Sequence, residues 1–191
     1  MPQKKSIQGS PSVFYYMPEE SAPHQRTWMQ WPTSISIYES SSYLTDVRKD
    51  LSQVARAIAQ FEEVFMLTSS KDIKIAQKLC GPNVQLIEIA VDDMWARDSG
   101  PTFVVNDEGK YAIADMHFNG WGNKQKGTED NKIVGKVAEF CQIPLLDTKL
   151  VAEGGAIDVD GRGTLLTTES AIINDNRNPG RNRKPSQRCF G

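Results

Sequence analysis

Histidine and cysteine are scarce in this sequence. It has two histidines, His24 and His117, and three cysteines, Cys80, Cys141 and Cys189, in 191 residues. No pair of histidines has metal-ligand spacing, so no metal site is expected. Three cysteines do not make a disulfide framework; they fit a reducing compartment, and the expected location is cytoplasmic. Cys80 and Cys141 each end a helix-like pattern, where a buried, inert thiol is the default. Long apolar runs are also absent. None approaches the roughly 20 residues of a membrane span, so no membrane partner is expected. The opening Met1-Pro2-Gln3-Lys4-Lys5-Ser6 has basic residues without an apolar segment behind them, and no secretion signal is visible.

Acids are missing from the last fifteen residues. Arg177 to Gly191 holds five basic residues, Arg177, Arg181, Arg183, Lys184 and Arg188. The whole chain carries −2, so setting that +5 aside leaves −7 on the first 176 residues. Nucleic-acid binders present a basic face, so an acidic body excludes a nucleic-acid partner from the expectations. It suits a small cationic partner through steering. The length suits one domain with a real core. Residues 1–12 read as a disordered leader, 13–176 as the domain and 177–191 as a basic, patternless tail expected to be either solvated and disordered or frame-altered.

Within the domain, strands and helices alternate. Thr27 to Trp31 has strand periodicity and stops at Pro32, with Trp28 and Trp31 read as core. Ser40 to Ser42 can cap a helix from Tyr43 to Phe61, with Leu44, Val47, Leu51, Val54, Ile58 and Phe61 on one face. Val64 to Leu67 is a buried strand, Lys71 to Cys80 a helix stopped by Gly81-Pro82, and Val84 to Ile89 a further strand. That order is typical of α/β proteins. Thr128 is read as the cap of a third helix, with Glu129 and Asp130 in its first turn. Ile133, Val134, Val137 and Phe140 form its apolar face, and Ile143 to Leu146 follows as a strand.

The chemistry gathers between Asp92 and Val105. An apolar strand ends in Asp92-Asp93 and Trp95; Arg97-Asp98 and a turn at Gly100-Pro101 follow. A carboxylate at a strand mouth pairs with a planar guanidinium through two parallel charge-assisted hydrogen bonds, and an indole face adds cation–π attraction. The same residues also suit a turn cap, Asp98, and a core indole, Trp95. The pattern then recurs. Asp98-Ser99-Gly100 leads into a hairpin with its turn glycine at Gly109, and Glu153-Gly154-Gly155 leads into one that turns near Gly163. Repeated modules around an axis would aim equivalent acids at one central pocket.

Several motifs carry a family resemblance. Met17 to Pro32, Met94 to Thr102, Phe118-Asn119-Gly120-Trp121-Gly122, Glu153-Gly154-Gly155 and Asn176 to Gly180 resemble, in order, those of agmatine deiminases and the related bacterial peptidylarginine deiminases. The resemblance implies an α/β propeller of the pentein type, five ββαβ modules around a pseudo-fivefold axis, present here only in part. It implies hydrolysis of agmatine to N-carbamoylputrescine and ammonia, a step toward putrescine, by a cysteine thiolate and without cofactor or metal. Carried over by position, Asp98 would grip the guanidinium nitrogens and Glu153 would hold the cation and assist proton movement. Trp95 and Trp121 would shape the substrate pocket, and that context favours the small diamine-like substrate over peptide-linked arginine. A homo-oligomer is an admissible assembly.

The family's Gly-His-x-Asp motif and its late, glycine-flanked cysteine have no counterpart here; His24, His117 and Cys189 lack that context. Residues 13–176 are therefore expected to be an incomplete deiminase domain, inactive alone. The alternatives are a non-catalytic binding or regulatory module and, disfavoured by the histidine spacing, a metal-dependent hydrolase built on Asp92, Asp93, Asp98 and a histidine. The geometric expectation is that Asp98 and Glu153 converge on one cavity.

Overall fold

The structure is a computed structural model, described here for residues 13–125 and 129–182. β1 (Tyr15–Tyr16) and β2 (Arg26–Gln30) are followed by α1 (Ile35–Tyr38), α2 (Ser41–Ile58), β3 (Glu63–Thr68), α3 (Ile73–Cys80) and β4 (Val84–Glu88). Next come α4 (Ala96–Ser99), β5 (Thr102–Asn106), β6 (Tyr111–Asp115), α5 (Gly120–Asn123), α6 (Ile133–Cys141) and β7 (Leu145–Asp147). β8 (Ile157–Val159), β9 (Leu165–Thr167) and α7 (Glu169–Ile172) complete the order.

β2, β3 and β4 form a parallel sheet with β3 in the centre. Val64 and Met66 of β3 pack with Ala55 of α2 and with Ala76 and Cys80 of α3. Leu67, on the alternate face, packs with Ile133, Val134 and Val137 of α6. Helices cover both faces of this sheet, which is why β3 reads as a continuous apolar run rather than an alternation. Trp31 is fully buried beside Met29 and Met66. Trp28 lies among Phe65, Phe103 and Phe140. Trp31 is a core residue, as the strand pattern suggests, whereas Trp28 is partly buried against the second cluster.

Two expectations about the helices are corrected. Val54 is 51% exposed and Phe61 89% exposed, and Phe61 lies beyond the end of α2. Spacings of three and four repeated as a heptad drift about 20° per seven residues around a straight helix, so the buried stripe passes from Leu44 to Ala55 instead of Val54. Phe140 is half-exposed at the rim of the aromatic cluster. The proposed cap Thr128 and the leader 1–12 lie outside the described residues.

The second sheet has the order β1-β5-β6-β7. β5 and β6 pair antiparallel, α6 crosses over, and β7 joins β6 in parallel, giving one ββαβ unit. Its hairpin turn is held by Asn106 Oδ1, which accepts the N–H groups of Glu108 and Lys110 at 3.0 and 2.9 Å. β8 and β9 form a separate antiparallel hairpin, each strand three residues long. A helical turn precedes each hairpin: α4 before β5 and a 3-10 turn, Gly154–Ala156, before β8. The repeat read from the sequence is thus present as local structure, and no sheet closes among the described residues. No helix among them is long and apolar enough to cross a membrane.

Met66 is fully buried between sheet and helices. Met66→Ala is expected to lower unfolding free energy by about 2–5 kcal/mol. Urea denaturation should show this as a lower midpoint at unchanged slope.

Candidate functional site

The site is built on a backbone segment clamped by buried acids. Asp130 is almost fully buried, and its carboxylate accepts the N–H of Asp92 at 2.7 Å and that of Asp93 at 3.2 Å. Asp92 returns the contact by accepting the Glu129 N–H at 2.8 Å. Asp93 accepts from the Tyr38 hydroxyl at 2.5 Å, from the Met94 N–H at 2.7 Å and from the Gln125 amide at 3.1 Å. These acids satisfy backbone donors that burial would otherwise strand. Asp130 therefore does not serve its own helix, as the sequence suggests; it reaches across to the strand mouth. Burial pushes its carboxyl up from 3.8 to about 7, with the Asp92 and Asp93 charges adding to the effect. Burial, followed by the bond to Asp93, raises the Tyr38 phenol well above its ordinary range.

From that clamp, α4 projects Asp98. The Trp95 carbonyl accepts the N–H groups of Asp98 and Ser99 at 3.0 and 3.1 Å. The Gln30 amide donates to the buried Ser99 hydroxyl at 3.1 Å, tying α4 to β2. Asp98 Oδ2 accepts the Trp121 indole N–H at 3.2 Å. The turn carrying Trp121 is left-handed at Trp121 and Gly122, with φ of 54° and 75°. Asn119 stabilises it by accepting the Gly122 N–H at 2.9 Å.

The other acid arrives from the 3-10 turn. A Cβ at Gly154 would stand 2.3 Å from the Arg97 carbonyl oxygen, and one at Gly155 would stand 2.2 Å from Asp98 Oδ1. Only glycine permits α4 and the Gly154–Ala156 turn to approach this closely. Glu153, 4% exposed, immediately precedes that turn. Its carboxylate accepts from Arg177 Nε at both oxygens, at 2.8 and 3.1 Å, and Arg177 Nη2 forms an ion pair with Oε1 at 2.8 Å. The Arg177 Nη1 atom would stand 3.0 Å from a Cβ at Gly122, beside Trp121. Asp98, Trp121, Glu153 and Arg177 thus form one connected cluster, although 79 positions separate its ends.

The other candidate residues are used differently. Trp95 supplies its carbonyl to α4, and its ring is 50% exposed. His24 pairs with Glu62, and His117 pairs with Asp147 and Asp115. Asp92 and Asp93 are spent on the backbone clamp. Cys80 and Cys141 are free thiols, and burial pushes Cys80 up to about 11 and raises Cys141 as well. Neither has the depressed pKa of a reactive thiolate. Cys189 lies outside the described residues.

Two cavities, of about 730 and 620 Å³, contain none of Asp98, Trp95, Trp121 and Glu153. The larger touches the cluster's surroundings through Ala96, Arg97 and Gly154 and is otherwise lined mainly by the N-terminal loop, Trp28, Phe103 and Phe140. The site is therefore defined by the paired acids and their donors. Asp98 is seated against the diglycine turn that Glu153 precedes, and neither acid lines these two cavities.

The tail boundary also shifts. Arg177 and Asn178, expected to open a solvated tail, are packed into the body. Asn178 donates to the Val151 and Ile172 carbonyls at 2.7 and 2.8 Å, and Arg177 holds Glu153. Residues 183–191 lie outside the described residues. Charge composition hid this, because five basic residues without an acid read as a solvated run. The signal for Arg177 was its place inside the Asn176–Gly180 motif.

Comparison with known proteins assigns the family. Residues 16–190 match the Porphyromonas-type peptidyl-arginine deiminase model. The chain belongs to that family. This deiminase-family chain is 42% identical over 172 residues to a Streptomyces coelicolor protein provisionally named agmatine deiminase, covering 89% of this chain and 51% of that protein. It is 40% identical over 172 residues to the agmatine deiminase of Stutzerimonas stutzeri, covering 86% and 46%. The solved agmatine deiminase of Enterococcus faecalis superposes with a TM-score of 0.84 at 30% identity, over 92% of this chain and 50% of that one. The chain spans about half the length of the curated relatives it matches.

Asp130 generates a pH prediction. The unfolded chain loses this proton near pH 3.8, whereas the folded chain keeps it to about 7. Stability from this group is present below the first value and is lost as pH rises to the second, by a few kcal/mol at most. Denaturant unfolding from pH 4 to 8 should show a downward slope in the wild type. Asp130→Asn should abolish that component.

Proposed function

We propose that Asp98, Trp121 and Glu153 form the carboxylate half of a guanidinium site, and that the whole protein hydrolyses agmatine to N-carbamoylputrescine and ammonia. The observation that carries this reading is the seating of Asp98 Oδ1 against Gly155, two residues from Glu153, while Oδ2 is oriented by Trp121. A guanidinium stays protonated at neutral pH, and delocalisation shields its carbon. Carboxylates hold and orient the cation so that a nucleophile can reach that carbon. In the proposed reaction a thiolate adds to the carbon and ammonia departs with the proton it needs. Water then displaces the thiolate to give the ureido product.

Cys80 and Cys141 are unsuited to that attack, since burial raises both thiols. His24 and His117 are engaged with acids elsewhere. We therefore assign the nucleophile and the histidine to another part of the protein than this chain. The matching fold is the five-module ring, of which β5-β6-α6-β7 supplies one module. The putrescine pathway and a cytoplasmic location belong to the same proposal.

A second reading, a non-catalytic binding or regulatory module, is favoured by one observation. The Glu153 carboxylate is already paired with a cation, Arg177. Assays of ammonia and ureido product separate the two readings when run on this chain and on one in which residues 1–180 are extended by the C-terminal half of the Stutzerimonas stutzeri relative. Product is expected from the extended chain alone; its absence there would leave the module reading. By calorimetry, Asp98→Ala should weaken agmatine binding roughly 10–100-fold, the equivalent of one or two charge-assisted hydrogen bonds. An unchanged affinity would remove Asp98 from the site.

A further inference from the structure

We infer that Arg177 is a positioning residue that fixes the Glu153 carboxylate in place and locks it to the Trp121 turn, and that Gly122 is glycine because this guanidinium fills the space beside it. The consequence for substrate rests on the guanidinium-site reading; the geometry does not.

Three observations carry the inference. First, Glu153 is almost wholly buried, and a buried carboxylate without a counter-ion takes up a proton rather than stay charged. Two elements bring charged residues to Glu153 or to the turn that follows it. Arg177, from the segment after α7, contacts Glu153 itself; Arg97 and Asp98, from α4, pack against Gly154 and Gly155. Arg97 turns its guanidinium to Glu20 at 2.5 Å, and Asp98 is an acid, so Arg177 is the cation on Glu153 among the described residues.

Second, the pairing uses the planar fork. Nε reaches both carboxylate oxygens, at 2.8 and 3.1 Å, and Nη2 reaches Oε1 at 2.8 Å. Lysine offers a single point charge and cannot reproduce that geometry. The fork is itself aimed by its backbone. The Arg177 N–H donates to the Asn174 side chain at 3.0 Å, and the next residue, Asn178, is anchored to Val151 and Ile172.

Third, the third guanidinium nitrogen faces the other half of the site. A Cβ at Gly122 would come within 3.0 Å of both Arg177 Nη1 and the Asn176 Cβ, and φ there is +75°. Asn119 and Asn123 donate to the Asn176 carbonyl at 3.0 and 3.3 Å, so the Trp121 turn and the Arg177 segment are stitched together on both sides. One residue thereby sets the position of the Glu153 carboxylate and of the indole that orients Asp98. A guanidine-hydrolysing site needs both acids fixed before its cation arrives.

The test reads position directly, without ligand. The 191-residue chain labelled with 13C at glutamate carboxyls and 15N at indoles is examined by NMR as wild type, Arg177→Met, Arg177→Lys and Gly122→Ala. In Arg177→Met the Glu153 carboxyl signal and the Trp121 indole N–H signal should both shift, while the Trp31 indole signal stays in place. Arg177→Lys should fall between, because lysine lacks the planar fork. Gly122→Ala should move the Trp121 and Glu153 signals with Arg177 still present, which covers the case in which Arg177→Met does not fold. Glu153 and Trp121 signals identical in the wild type and the folded Arg177 variants overturn the inference. Agmatine added to the wild type interrogates the guanidinium-site proposal separately. Failure to bind there would count against that proposal and leave the ligand-free signals to decide this one.

Discussion

The structure depends on a close approach between two short turns. The Gly154–Ala156 turn rests against α4 so tightly that the Arg97 carbonyl and the Asp98 carboxylate occupy the volume any side chain at Gly154 or Gly155 would need. This contact joins the hairpin β8-β9 to the sheet that contains β5, and it seats Asp98 against the turn that Glu153 precedes. Each turn opens a hairpin, so the approach is made where one hairpin unit meets the next.

Carboxylates play three roles here, and their partners sort them. Asp92, Asp93 and Asp130 are consumed by backbone N–H groups and by the Tyr38 and Gln125 side chains, and they make the strand mouth rigid. Asp98 and Glu153 are held by an indole N–H and a guanidinium, donors that fix a charge in place without replacing the fold's own bonds. Asp147, fully exposed, is held well below the ordinary carboxylate range by Lys149 first and His117 next, and it contributes to the surface alone. Local sequence does not separate these roles, since an acid after a strand looks the same whether its partner is a backbone amide, an arginine or water.

Part of this was legible before any coordinates. The continuous apolar run of β3, the capped α2 and the Gly81-Pro82 stop are local signals, and they led to the parallel sheet with covering helices. The likeness between Asp98-Ser99-Gly100 and Glu153-Gly154-Gly155 led to a repeated turn and hairpin. The errors have one cause. The stripe on α2, the role of Asp130 and the fate of Arg177 all depend on what lies opposite in space: helix drift turns Val54 outward, Asp130 meets the backbone of a strand 37 residues earlier, and Arg177 meets an acid 24 residues earlier.

The sequence by itself determined the alternation of strands and helices, the hairpin turns, the acidic body and the motifs that mark the family, because each rests on periodicity, turn chemistry or composition within a short window. Only the tertiary structure decided which acids are spent on the backbone, that Arg177 belongs to Glu153 rather than to solvent, and that Trp121 rather than Trp95 donates to Asp98. Those outcomes depend on distances between segments brought together by packing, and the free energy of a buried charge is set by the partner it meets there.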